Sequence, residues 1–425
     1  MSGSTTKCGH ARHEVDIFVS DNSPRPMKRI NLQNAKSQIA RPNTIRDINR
    51  QIVLNYVRDR SPISRAEIAR QTELHRSTVS VIIDDLLAAG LVEEIGEGKS
   101  TGGRKPTLYK LQTGTPVAIG IDLTPRTTTI GVCDLGANML EQETFATAPD
   151  VDFLSRQILD RIGRLAEKYA DHGLEIGMTV PGLVDQNLGR IFHIPYFDWR
   201  DWDICQRIEA ETGIYVTVEN DANAAALAEL WFGNEKVRKI DTFVMVLVGE
   251  GIGTGIIFDG QIYRGEKGAG GEFGHMIAGA EGPVECSCGS RECWEAYASE
   301  KAIIARYKKA LEQDDLKPSG TEIGAVIELA INGEKHAIEA LRETVHYLGN
   351  GISNLVVGLS PQIVVVSGPI TRAWNLFSAE LSRIAQRSLL AGLPETILMP
   401  SSLGDSPTLI GAFGLILAKR FGTHG

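Results

Sequence analysis

From Thr44 the chain carries apolar residues at helical spacing: Ile45, Ile48, Ile52, Val53, Tyr56 and Val57 share one face, and Ser61-Pro62 ends the segment. A second helix is predicted at once by S-R-A-E, where Ser64 and Glu67 form a capping box and Ile68 and Ala69 supply the buried side. After Thr72-Glu73-Leu74 a third helix runs from Arg76 to Ala89 with Val79, Ile82, Ile83, Leu86 and Leu87 inward, and Gly90 stops it. The period then changes. Leu91 to Ile95 and Thr107 to Leu111 alternate as two strands joined by G-E-G-K-S-T-G-G-R-K-P. Short helix, tight turn, longer helix and hairpin is the order of a winged helix-turn-helix, whose last helix begins in the major groove of DNA. That order sets Arg76, Ser77, Thr78 and Ser80 toward bases and phosphates, and Lys99, Arg104 and Lys105 of the wing toward phosphates or a narrow minor groove. The competing reading is a three-helix packing module with an ordinary hairpin; the turn lacks a Gly and His75 is a poor cap.

From Pro116 strands and helices alternate. Val117 to Leu123 and Thr128 to Asp134 read as a hairpin, Phe153 to Tyr169 as a helix, and Glu175 to Val180 as a strand ending in Pro181-Gly182. In V-T-V-E-N-D-A-N-A-A-A-L-A-E a strand meets a helix at Glu219-Asn220-Asp221. A second strand-rich segment opens at Thr242 to Leu247 and passes into G-E-G-I-G-T-G-I, whose glycines permit a tight hairpin with amides open to an anion. Helices follow over Lys301 to Glu312, Thr321 to Asn332 and His336 to Val357, then the strand Gln362 to Val366, then a closing helix from Asp405 to Lys419. The predicted organisation is a disordered tail over 1–40, a winged helix-turn-helix over 41–113, one α/β lobe over 114–236 joined by the helix 405–421, and a second lobe over 237–404. Ligand residues at strand ends between two such lobes predict a cleft that closes on a small molecule.

Composition places the chain among ordinary globular proteins: 425 residues, 42% hydrophobic and 23% charged. The net charge of −9 excludes a protein that coats nucleic acid indiscriminately, so DNA contact has to come from the local patch at the front. No apolar run is long enough to span a bilayer, the start M-S-G-S-T-T-K-C has no signal core, and cysteine is scarce, which together predict the cytoplasm and no membrane.

Half of the six cysteines fall in one stretch with a histidine: His275, Cys286, Cys288 and Cys293. Three thiolates and an imidazole fill a tetrahedral Zn2+, leaving no position for a reactive water, so the expected metal is structural. The alternatives are a disulfide with one free thiol, or scattered cysteines. A zinc at this place gathers Glu272 and Glu295, and an imidazole bound through one nitrogen presents a proton on the other. Two acceptors and a donor suit a polyhydroxylated molecule. Asp221 has the character of a general base with Asn220 orienting the same ligand, and both residues also favour a helix N-cap.

With these pieces in place the chain resembles the ROK family, which groups sugar-responsive repressors with sugar kinases on the actin/hexokinase-like two-lobed α/β fold. The resemblance runs from about Thr44 onward and is carried by G-I-G-T-G-I with G-G-E-F-G-H, by E-N-D-A-N-A-A-A-L-A-E and by C-S-C-G-S-R-E-C-W-E. It implies that Asn220, Asp221, Glu272, His275 and Glu295 contact sugar hydroxyls, that Asp221 stands at the kinase-base position, and that His275, Cys286, Cys288 and Cys293 hold the zinc. The kinases carry D-x-G-G-T after the first strand; here Asp122 is followed by L-T-P-R-T, and the second glycine pair is Ser367-Gly368-Pro369. Tyr196 in I-F-H-I-P-Y-F-D-W replaces the Asn usual in kinase relatives. A phosphoryl-transfer enzyme has to seat its phosphates. The resemblance therefore implies a sugar-responsive repressor, with no enzyme activity, acting on a double-stranded DNA operator as a homodimer or higher homo-oligomer. An ATP-dependent sugar kinase with an accessory DNA-binding head is the alternative, and a regulator governed by a partner protein is a third.

Overall fold

The computed structural model describes residues 42–99, 105–186, 188–317, 322–388 and 394–421; the tail over 1–40 and Arg104 of the wing lie outside them. By contact the chain divides after Asp47, and everything below concerns the unit Ile48–Gly425 apart from the opening turns of the first helix. That helix, α1 (Pro42–Arg60), leads through β1 (Ile63–Ser64) to α2 (Arg65–Thr72), α3 (Arg76–Ala88) and the hairpin β2 (Val92–Glu97) and β3 (Thr107–Leu111). The three strands form one antiparallel sheet in the order β1-β3-β2, so the wing is anchored on the turn between helices. The Ser64 hydroxyl accepts the Glu67 amide at 3.3 Å, while the Glu67 carboxylate turns to Arg70 and Gln71 instead of closing the capping box. His75 caps nothing; its ring meets the Ser77 hydroxyl. Val53, Val57, Ile68, Val79, Ile83 and Leu86 bury the inner faces as their spacing predicts; Leu54 joins them unpredicted, and Ile48 is 37% exposed instead of inward.

The next segment runs β4 (Pro116–Leu123), β5 (Thr127–Asp134), β6 (Met139–Ala146), α4 (Val151–Lys168), β7 (Glu175–Val180), β8 (Leu183–Asp185), β9 (Arg190–Ile194), β10 (Trp199–Trp202), α5 (Ile204–Thr212), β11 (Val216–Asn220) and α6 (Asp221–Phe232). Its main sheet has the order β11-β7-β4-β5-β6, parallel across β11, β7 and β4 and antiparallel beyond. Strands β4 and β7 are buried along nearly their whole length, as strands covered on both faces must be, and read as near-continuous apolar runs.

The last segment runs α7 (Glu235–Arg238), β12 (Phe243–Val248), β13 (Ile252–Phe258), β14 (Gln261–Ile262), α8 (Trp294–Ala298), α9 (Glu300–Gln313), α10 (Ile323–Ile331), α11 (Lys335–Leu359), β15 (Ile363–Ser367), α12 (Trp374–Ala385), β16 (Ile397–Pro400) and α13 (Pro407–Phe421). Its sheet has the order β14-β13-β12-β15-β16. Helix α13 then returns to the first sheet. Among the described residues no helix is long and apolar enough to cross a membrane.

Helices α6 and α13 lie against one another at a distance set by small residues. Ala222, Ala224, Ala225, Ala226 and Ala228 of α6 are fully buried, and a Cβ on Gly411 of α13 would fall 2.6 Å from the Ala224 carbonyl carbon. On its other side α13 meets β7, where a Cβ on Gly177 would stand 1.9 Å from the Ala412 oxygen. Backbone cannot yield there as a flexible side chain would. Gly177→Ala should therefore destabilise the fold by about 1–3 kcal/mol, read as a lowered midpoint in chemical denaturation.

Candidate functional site

The strand ends β4, β11 and β12 open on a common cavity of ≈ 520 Å³ between the two five-stranded sheets. Asn220, Asp221, Glu272, His275 and Glu295, five residues scattered over 76 positions of sequence, all line it. Each is set by local backbone. Asn220 is the N-cap of α6: its side-chain oxygen accepts the Ala222 and Asn223 amides at 3.0 and 3.1 Å, and its amide nitrogen donates to the Gly182 oxygen at 3.3 Å. The cap and the ligand-facing position are one and the same. Asp221 lines the same cavity and accepts the Ala222 amide at 2.8 Å. Burial pushes its carboxyl up to about 7; Asp122 and Glu272 push the same way, while the Ala222 amide opposes them. A carboxyl near neutrality can both accept and give a proton.

Glu295, at the start of α8, is 3% exposed and accepts two backbone amides, Ile252 at 3.2 Å and Ser287 at 2.7 Å. The first belongs to β13 and the second to the cysteine stretch, so one carboxylate ties the glycine turn to the knuckle. Gly251 has to lack a side chain: a Cβ there would lie 2.3 Å from the Tyr196 hydroxyl and 2.4 Å from Glu295. Glu272 sits 3.7 Å from the His275 Nε2, and burial holds its carboxyl above the usual range. Tyr196 and His193 also line the cavity. The aromatic ring beside Pro195 was legible in sequence; His193 was not, because nothing in its strand distinguishes a cleft-facing histidine from a surface one.

The donor atoms of His275, Cys286, Cys288 and Cys293 lie within 4.8 Å of one another. Cys286 Sγ is 3.2 Å from His275 Nδ1, and Cys288 Sγ is 3.5 Å from both Cys286 Sγ and Cys293 Sγ. Those sulfur separations are far longer than the ~2 Å of a disulfide, and the three thiols are free. A tight turn from Cys286 to Ser290 and the pairing of Ile277 with Cys293 bring the ligands together. Because Nδ1 faces the sulfurs, Nε2 faces Glu272 and the cleft. The group is able to hold a metal ion.

On the opposite side of the cavity the turn between β4 and β5 is closed on itself. Thr124 N–H donates to the Thr127 oxygen at 2.9 Å and Thr127 N–H to the Thr124 hydroxyl at 3.0 Å, while Pro125 has no amide to offer. Arg126 forms an ion pair with Glu250 of the β12–β13 turn. Asp122 is buried and holds the Thr179 and Thr408 hydroxyls at 2.8 Å each. In the head, Arg76, Ser77, Lys99 and Lys105 are exposed and Thr78 and Ser80 half-buried. Val81, 54% exposed on α3, had been overlooked since an apolar residue in a helix suggests core.

Two five-stranded sheets around a cleft, with a winged helix-turn-helix before them in the chain, make an actin/hexokinase-like fold with a DNA-binding head. Residues 118–419 match the model of the ROK family and residues 52–100 that of the MarR family. The xylose repressor of Bacillus subtilis is 33% identical over 89% of this chain and 97% of its own length. A crystallised ROK family transcriptional regulator, homologous to the Escherichia coli Mlc protein, superposes with a TM-score of 0.73 at 24% identity, covering 89% of this chain and 98% of that one. A ROK glucokinase from Streptomyces griseus, solved with glucose and an ATP analogue, is 29% identical with a TM-score of 0.63, but covers 71% of this chain and 98% of its own. The chain belongs to the ROK family, and within it to the sugar-responsive, DNA-binding transcriptional repressors.

The position of Asp221 has a measurable consequence. Its folded-state carboxyl titrates near 7 against an ordinary 3.8, so its favourable contribution is complete at low pH and is lost as pH rises between those values. Asp221→Asn should gain stability over the parent across that window and hold a constant advantage above it, as followed by thermal unfolding across a pH series.

Proposed function

We propose that an effector sugar closes the cleft, with Asn220, Asp221, Glu272, His275 and Glu295 on its hydroxyls, and thereby changes the affinity of the head for an operator. The observation that carries this reading is the convergence of those five residues in one cavity at the end of α6. Helix α6 spans about 18 Å from its twelve residues. Its far end presents Trp231 beneath Arg58 of α1, whose guanidinium carbon lies 5.0 Å from the Trp231 ring and 4.9 Å from the Phe421 ring. Asn55 donates to the Phe421 oxygen at 2.9 Å and Asp59 pairs with Arg238 at 3.0 Å. Helix α13 runs the same way, with Thr408 at the cleft and Phe421 under α1. Sugar at one end and DNA at the other thus bias the same pair of helices.

On DNA, Arg76, Ser77, Thr78 and Ser80 enter the major groove, with Val81 suited to a thymine methyl, and Lys99, Arg104 and Lys105 of the wing meet phosphates. A homodimer would place two heads on a palindromic operator in the cytoplasm. The zinc held by His275, Cys286, Cys288 and Cys293 is structural: four protein donors leave it no open position, and its role is to fix the Glu295 and His275 faces of the cleft. The nearness of the Asp221 carboxyl to neutrality favours one other reading, a residual kinase. Against it stand the turn after Asp122, whose Thr124 and Thr127 amides are spent, and the prolines at 125 and 369. ATP turnover with a hexose, abolished in Asp221→Asn, would establish that reading instead.

Operator binding measured by fluorescence anisotropy against a sugar panel should shift for at least one sugar; a flat response to all of them removes the sugar reading. Arg76→Ala should weaken operator binding by about 1–3 kcal/mol, whereas Trp231→Ala should leave binding intact and blunt the sugar response. Chelation of the purified protein should release about one zinc per chain and lower both its unfolding temperature and its sugar affinity.

A further inference from the structure

The lining of the cleft carries six carboxylic acids, Asp221, Glu250, Glu272, Glu295, Glu300 and Asp405, and a single guanidinium, Arg126. The two ends of the cavity use them differently. At the α6 end the carboxylates face outward from a cap and a metal knuckle, where they accept hydroxyl protons. At the other end Arg126 is already committed to Glu250, across from one sheet to the other. Glu300, 6% exposed, is the first residue of α9, and its amide donates to the Gly249 oxygen at 2.9 Å, which fixes it beside the same turn. Burial and the Glu250 charge push its carboxyl up to about 7, against the pull of Arg126.

An anionic group arriving at this end meets one cation that is taken, two acids, a proline at 125 and another at 369 where amides are missing, and a Thr127 amide already bonded. To take the Arg126 Nε it would have to displace Glu250 and leave that carboxylate unpaired in a partly buried site, and at the guanidinium's remaining N–H groups it still stands against the Glu250 and Glu300 carboxyls. A neutral hydroxyl meets no such obstacle, since a carboxylate accepts from it directly. Resting on the reading of the cleft as a sugar site, we propose that Glu250 and Glu300, arranged about Arg126, are specificity determinants that make the protein respond to an unphosphorylated saccharide and refuse its phosphate ester.

The test uses the full chain and titration calorimetry with paired probes: D-xylose and xylose 5-phosphate, D-glucose and glucose 6-phosphate. For whichever sugar binds, the ester should bind about tenfold more weakly, the effect of bringing its charge up to Glu250 and Glu300. In the double variant Glu250→Gln with Glu300→Gln, Arg126 is released, and the affinity of the ester relative to the sugar should rise by about tenfold. The comparison in the parent chain stands by itself should the double variant fail to fold. An ester that binds as tightly as its sugar, or more tightly, overturns this inference while leaving the sugar reading intact. If neither sugars nor esters bind, both fall together.

Discussion

The contact of α6 with α13 governs how this molecule can work. Alanines on one helix and Gly411 on the other let the two backbones approach so closely that neither can slide without disturbing its neighbour. Both begin at the cleft, with Asn220 and Asp221 at one start and Pro407 and Thr408 at the other. Both end in the apolar cluster that holds Val53, Leu54 and Val57 of the head together with Phe413, Leu417 and Phe421. Head and body thus share one core, and the Arg58 guanidinium, seated on the Trp231 and Phe421 rings, joins α1 to the ends of both helices.

Hydroxyl recognition needs acceptors held rigid by backbone, and here the N-cap of α6 and the double amide contact of Glu295 supply them. Phosphate recognition needs free amides and unpaired cations. The turn after Asp122 has bonded its Thr124 and Thr127 amides internally and its only arginine reaches across to Glu250. That ion pair also joins the two sheets across the cleft.

Much of this was legible in the residues. Periodicity located α1, α2 and α3, the β4–β5 hairpin and the strand-to-helix junction at Asn220, since in each an apolar face has to be buried and the pattern shows which. The strand β6 escaped notice because it lies at a sheet edge where Glu141 and Glu143 meet α4 through ion pairs and Phe145 alone packs on the core, so M-L-E-Q-E-T-F-A carries no alternation to detect. Helix α12 was missed although Phe377, Leu381 and Ile384 recur at helical spacing. The cysteine cluster announced its metal chemistry through composition alone. What no single-chain pattern conveys is which distant groups meet: Glu250 with Arg126, Glu300 beside both, and Arg58 over Trp231 are products of tertiary packing that joins far-separated stretches of sequence.

Glu295 draws one last implication from this arrangement. Its two oxygens are each claimed by a main-chain amide, one of which, Ser287, sits between two of the sulfur ligands. The carboxylate that lines the cleft therefore also fastens the cysteine stretch, so whatever tightens or loosens that stretch re-aims an acceptor inside the cavity.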